Sequence, residues 1–322
     1  MRRSLRRLRT SLRTTGTALL PAQLWPALLW PALLLSGCAS EAPHGQDSPD
    51  VLGSFEAVSM IVSPLLGEDR VRTLLPPGTT PHAYAPRPSE ARAMHESALV
   101  VYAHANIDGW VADMAGSRAY PLFGGLADPG WSTEKEDEHS HSADGHQDAH
   151  FWTDPVQVRG AIRPLASALC DTYPDDCAAI RRRSAILASR LDSLHAQLDA
   201  KSNDELRAAG RRCVITAQPF VDQMLLRYNI AFVGPITVAA DVPASPGRLS
   251  AIIGQAKTKS CSTLVIQSTL QNRFERRLAH EQGWDIVAVD PLGAPDQDIV
   301  SYLAGLFDTL TRPASDPEGS IE

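Results

Sequence analysis

The chain lacks the two short patterns that announce hydrolytic chemistry most directly: no HExxH helix offers two histidines and a general base to a catalytic zinc, and no GxSxG elbow presents an activated serine. Basic residues are scarce once the N-terminal segment is set apart. Residues 1–37 hold six arginines and no acidic residue, so without them 30 basic residues fall to 24 against 37 acidic ones, and the formal charge moves from −7 to −13. That balance argues against a nucleic-acid partner and favours cationic ligands. The apolar run Leu19–Leu35 is short and carries Pro21, Pro26 and Pro31, which opposes a stable membrane-spanning helix. Cysteine is limited to five residues, and no internal sequence repeat is present.

What the N-terminal segment does have is the order of a secretory signal: a basic start at Arg2, Arg3, Arg6, Arg7, Arg9 and Arg13, an apolar run, and the closing stretch "LLSGCAS". Its end, Leu35-Ser36-Gly37-Cys38, resembles the lipobox of bacterial lipoproteins. The resemblance implies removal of residues 1–37, acylation of the Cys38 thiol, and an extracytoplasmic protein held to a membrane only through that lipid. The remaining 285 residues suffice for two domains of ordinary size. Four cysteines are left. Cys170 and Cys177 have six residues between them, while Cys213 and Cys261 each open an apparent strand. In an oxidising compartment, Cys170–Cys177 with Cys213–Cys261 is the simplest arrangement, although three connectivities are open. A four-cysteine zinc site fits no compact spacing.

Residues 38–50 are polar and proline-broken and read as a tether. Strands are predicted at Val51–Val58 and Arg70–Leu75, the second ending in "LPPGTTPHAY"; a helix follows in "RPSEARAMHESA" and a strand in "ALVVYA". From Gly116 to Ala149 no period holds. Asp154-Pro155 then opens a helix whose buried side is Val158, Ile162, Leu165 and Leu169. Beyond Cys177, Ile180, Leu187, Leu191, Leu194 and Leu198 form one apolar stripe on a helix of about 25 residues. A second αβ series carries the strand candidates "CVITAQ", "IAFVGPITV", "STLVIQ" and "WDIVAVD". The expected fold class is α/β: two Rossmann-like α/β lobes with central parallel sheets, joined by a long connecting helix. The lobes are expected at 51–177, including a histidine-rich loop at 131–150, and at 206–312. The connecting helix is expected at 178–205 and a polar tail at 313–322.

His82, His150, Gln218 and Asp290 each fall at or just beyond a predicted strand end or the start of the next element. The segments "PPGTTPHAYAPRPSEARAMHESALVVYAHANIDGW" and "DAHFWTDP" carry a resemblance over nearly all of the mature chain to the zinc and manganese solute-binding lipoproteins of bacterial ABC importers, cluster A-I. The resemblance implies a metal site in the cleft between the lobes, with His82 and His150 as ligands, Asp290 as a carboxylate ligand, and the third family position at Gln218. Family members have histidine or glutamate there, so this chain departs from the pattern with a neutral, weaker donor. Two imidazoles and a carboxylate suit Zn2+ better than Mn2+. His139, His141 and His146, among acidic residues, resemble the family's histidine-rich insertion and imply an accessory metal trap, with nearby carboxylates raising the local cation concentration. His95, His195 and His280 read as helical residues. His104 follows a strand and faces the same cleft, without a ligand role in the family pattern. The implied activity is binding rather than catalysis, with delivery of zinc to an ABC permease and its cytoplasmic ATPase. The alternatives are a secreted zinc-dependent hydrolase, and an envelope metal buffer or adhesin without a transport role.

Overall fold

A computed structural model of the protein describes residues 51–82, 84–124, 149–209, 213–237, 244–270, 272–295 and 297–312. Cys38, the histidines 139, 141 and 146, the tether and the polar tail lie outside these residues. No described helix is long and apolar enough to cross a membrane.

The N-terminal lobe runs β1 (Val51–Gly53), α1 (Glu56–Leu66), β2 (Val71–Thr73), α2 (Pro88–Glu96), β3 (Leu99–Tyr102), α3 (Ala105–Asp108), α4 (Trp110–Ala115), β4 (Ala119–Pro121) and α5 (Pro155–Thr172). Its strands pair in the order β2-β1-β3-β4, all parallel. Every residue of β1 and β3 is buried, as expected for central strands covered on both faces. After α6 (Cys177–Ala209), the C-terminal lobe follows with β5 (Cys213–Thr216), α7 (Asp222–Arg227), β6 (Ala231–Val233), α8 (Pro246–Lys259), β7 (Thr263–Gln267), α9 (Arg273–Gln282), β8 (Asp285–Val289) and α10 (Ile299–Thr311). This sheet has the order β6-β5-β7-β8, again parallel, so both lobes share one strand arrangement. The loops leaving the C-terminal ends of the strands form one edge of each sheet, the usual place for ligands in such sheets.

Three elements differ from the sequence expectation. The predicted strand Val51–Val58 ends at Gly53, and α1 begins at Glu56. That helix buries Ala57, Val58, Ser59, Met60, Ile61 and Val62 in succession, so no 3.6-residue alternation marks it in the sequence. The strand β4 lies where the sequence shows no period, because three half-buried residues at a sheet edge are too few to set one up. The stretch "IAFVGPITV" contains only a three-residue strand: Gly234 follows at φ 133°, and a Cβ there would lie 2.6 Å from the Thr216 carbonyl oxygen. Glycine alone fits that turn and close approach.

The long helix α6 belongs to both lobes. Ile180, Leu187, Leu191, Leu194 and Leu198 are buried along it and join a hydrophobic core that includes residues of α1, α5, α10 and the C-terminal sheet. Arg183 Nη1 donates to the Leu65 and Leu66 carbonyls at the end of α1, while Arg190 and Lys201 pair with Asp298 and Asp308 at the start of and within α10. Cys170 is bonded to Cys177 across the α5–α6 turn, and Cys213 to Cys261 across the starts of β5 and β7. A second apolar cluster, including Ile215, Ile252, Leu264, Ile266 and Leu278, fills the opposite face of the C-terminal sheet.

Candidate metal centre

His82 follows β2 on the loop "LPPGTTPH". Trp110, at the start of α4, donates its indole N–H to the carbonyl of Pro81 at 3.0 Å, fixing the backbone one residue before the histidine. Tyr84 lies against the Trp110 ring and donates to Glu90 at 2.7 Å, which closes the far side of the loop onto α2. The Glu90 hydrogen bond raises the Tyr84 hydroxyl above its ordinary pKa.

His150 precedes a 3-10 turn, Phe151–Thr153, and its carbonyl accepts both the Thr153 hydroxyl at 2.9 Å and the Thr153 N–H at 3.1 Å. Its ring is 5.1 Å from that of the fully buried Trp152, and His150 itself is only 8% exposed. The two histidines converge: Nε2 of His82 lies 3.4 Å from Nε2 of His150. Two donors on one tetrahedral zinc, each about 2.0–2.1 Å from the ion, stand about 3.3–3.4 Å apart. The separation therefore fits a shared ion, and it equally admits a hydrogen bond when one of the two nitrogens carries a proton.

The other two predicted residues belong to the C-terminal lobe. Asp290 directly follows β8, and its Oδ1 accepts from Leu292 N–H at 2.9 Å. Burial pushes its carboxyl up from the ordinary value, against the opposing effect of that N–H. The next carbonyl, of Pro291, accepts the Trp152 indole N–H at 2.6 Å and the Tyr302 hydroxyl at 2.9 Å. The Asp290 turn is thus bonded to the aromatic ring that lies against His150. Gln218 follows β5, held by the Ala217 N–H to Val265 and by the Phe220 N–H to its own carbonyl. Its side chain is buried; Nε2 donates to Glu275 Oε1 at 3.4 Å, while Oε1 has no hydrogen-bond partner among the described residues. An orphaned buried acceptor costs about 1–3 kcal/mol, which a bound cation would offset.

Among the described residues, no three His, Cys, Asp or Glu side chains converge as a ready-made metal cluster. The structure brings His82 and His150 together and does not complete that pair with Asp290. His104, near the same edge, caps a helix instead, with its Nδ1 accepting the Asn106 N–H at 3.2 Å at the start of α3, and burial lowers its pKa. Glu275, buried beside Gln218, is missed by the sequence reading. As the third residue of α9, after Asn272, it reads there as an ordinary acidic helix start.

Residues 51–312 match the family described as "Zinc-uptake complex component A periplasmic". A Thermotoga maritima protein named "Putative metal-binding protein" is 28% identical over 137 residues, which is 42% of this chain and 46% of that protein, so the chain spans about half the length of this curated relative. Among solved structures, AdcAII of Streptococcus pneumoniae shares the fold with a TM-score of 0.69 at 15% identity, over 82% of this chain and 97% of that one. A ZnuA structure matches with a TM-score of 0.67 at 21% identity, over 82% and 98%. A zinc-bound internal deletion variant of ZnuA matches with a TM-score of 0.66 at 22% identity, over 82% and 97%.

Proposed function

Because the chain belongs to the periplasmic component A family of zinc-uptake complexes, we propose that it captures one Zn2+ ion between its lobes and hands it to the permease of an ABC importer. Members of this family are extracytoplasmic solute-binding proteins rather than enzymes. Zinc is the cargo. His82 and His150 supply two nitrogen donors, and Asp290 and Gln218 supply oxygens from the C-terminal lobe. The single observation carrying this reading is the 3.4 Å approach of the two Nε2 atoms from loops 68 residues apart. The Asp290 turn is already bonded, through the Pro291 carbonyl, to the Trp152 ring that lies against His150, so Asp290 joins the histidine pair by rearrangement of that turn. A shell of two imidazoles and oxygens favours zinc over manganese. His139, His141 and His146 form an accessory trap that raises local zinc, and acylated Cys38 holds the protein at the membrane that carries its permease and ATPase.

Competitive zinc titration tests the site. His82→Ala and His150→Ala each remove one of two strong donors, and each is expected to lose tight binding while circular dichroism stays that of the parent. Wild-type affinity in both variants sinks the assignment. Deleting residues 134–147 is expected to remove weak zinc equivalents and leave the tight one. The zinc-bound internal deletion variant of ZnuA sets a precedent for binding in a shortened relative.

A further inference from the structure

Gln218 is followed, across the sheet edge, by a carboxylate with no place in the ligand set. Strands β5 and β7 are direct neighbours, so the loops that leave them lie side by side, and α9 begins beyond the second of these. Glu275 in its first turn is 8% exposed, and its Oε1 meets the Gln218 amide nitrogen at 3.4 Å. An ionised carboxylate only accepts hydrogen bonds, so the amide must turn its N–H group to Glu275 and its oxygen the other way. The N-terminal turn of a helix favours negative charge at this position. The oxygen so directed is buried and has no donor among the described residues.

We propose that Glu275 is a positioning residue for metal capture: its carboxylate holds the Gln218 amide nitrogen so that the carbonyl oxygen is presented to the ion. This rests on the zinc reading of the site given above. The carboxylate has a second effect. By accepting the amide N–H it draws electron density toward the carbonyl and places a negative charge one hydrogen bond behind a neutral donor. The glutamine is thereby a better oxygen ligand than an isolated amide. Glu275 is not itself a ligand in this arrangement, because the oxygen that meets Gln218 faces the amide and no three-membered acidic or histidine cluster includes it among the described residues. As a purely structural pair the two side chains serve poorly, since they leave a buried oxygen unmatched.

The test is a double-mutant cycle read by competitive zinc titration and by the d–d spectrum of the cobalt(II)-loaded protein. Glu275→Gln keeps the shape and removes the charge; it is expected to weaken zinc about 10- to 100-fold and to change the cobalt ligand field. In a Gln218→Ala background the same change is expected to do nothing further, because the oxygen that Glu275 positions is gone. Thermal unfolding of the metal-free proteins serves as control, with Glu275→Gln expected to be no less stable than the parent. If Glu275→Gln fails to fold, Glu275→Asp, which keeps the charge but not the reach, takes its place in the cycle. Wild-type zinc affinity in the Glu275 variant, or an equal loss in both backgrounds, overturns the proposal. Retained loss of binding in His82→Ala and His150→Ala would then show that the site reading stands and this inference alone has failed.

Discussion

At the scale of single residues, Gln218 is the position where donor strength and surroundings are least matched. Histidine there would place a nitrogen toward the ion while its other ring N–H donates to Glu275, an arrangement that fixes the ring and raises its basicity. Gln218→His is therefore expected to tighten zinc by about tenfold or more and to change manganese binding much less, since manganese gains little from a third imidazole. Parallel titrations with the two metals check this, and equal affinity of variant and parent for zinc would remove position 218 from the site. His82 and His150 could be singled out in the sequence because each lies in a segment with a family resemblance, and the structure brings their Nε2 atoms to 3.4 Å from each other. Glu275 was not, since its meaning lies in a neighbour 57 positions away. Asp108 was legible only as part of a motif. In the structure its buried carboxylate accepts from Ser54 Oγ at 2.5 Å and from the Ala103 and His104 N–H groups at 2.9 Å each, tying the ends of β1 and β3 to α3.

At the scale of elements, periodicity succeeded where one face of a helix is buried and failed where the whole circumference is. The stripe on α6 and the Asp154-Pro155 start of α5 follow from spacing and capping; the Asp154 side chain accepts the Val156 N–H at 2.9 Å. The helix α1 is buried nearly all round and left no period, and β4 is too short to leave one. The cross-links add constraints that packing does not supply. In the loop-entropy account a bridge closing 48 residues, as Cys213–Cys261 does, contributes about 4 kcal/mol, and one closing 7 contributes about 2 kcal/mol. Replacing Cys213 and Cys261 by alanine is thus expected to lower the denaturant midpoint about twice as far as replacing Cys170 and Cys177. The reverse order in urea titrations of the two variants would show that native packing, and not chain constraint, dominates.

At the scale of the whole molecule, the lobes are tied by more than α6. Asp154 is fully buried at the start of α5 in the N-terminal lobe, and Arg227 of α7 in the C-terminal lobe meets it with Nη2 at 2.7 Å and Nε at 3.0 Å from the same oxygen. Four residues before Asp154 stands His150, and between them Trp152 bonds the Pro291 carbonyl. One short segment thus carries the proposed donor His150 and two links to the other lobe. A pair of lobes held in this way has little freedom to swing about a hinge, so on the zinc reading capture is expected to proceed by rearrangement of the Asp290 turn and its neighbouring side chains. Zinc is expected to leave the radius of gyration of the wild-type protein unchanged in small-angle scattering while still raising its unfolding temperature through preferential binding to the folded state. Arg227→Met strands the Asp154 charge in the interior, which costs about 3–5 kcal/mol. It also loosens the segment behind His150, so zinc affinity is expected to fall although no donor has been removed. A zinc-dependent contraction of the wild-type molecule, or an Arg227→Met protein that is less stable yet binds zinc as the parent does, would show that the links between the lobes have no part in shaping the site.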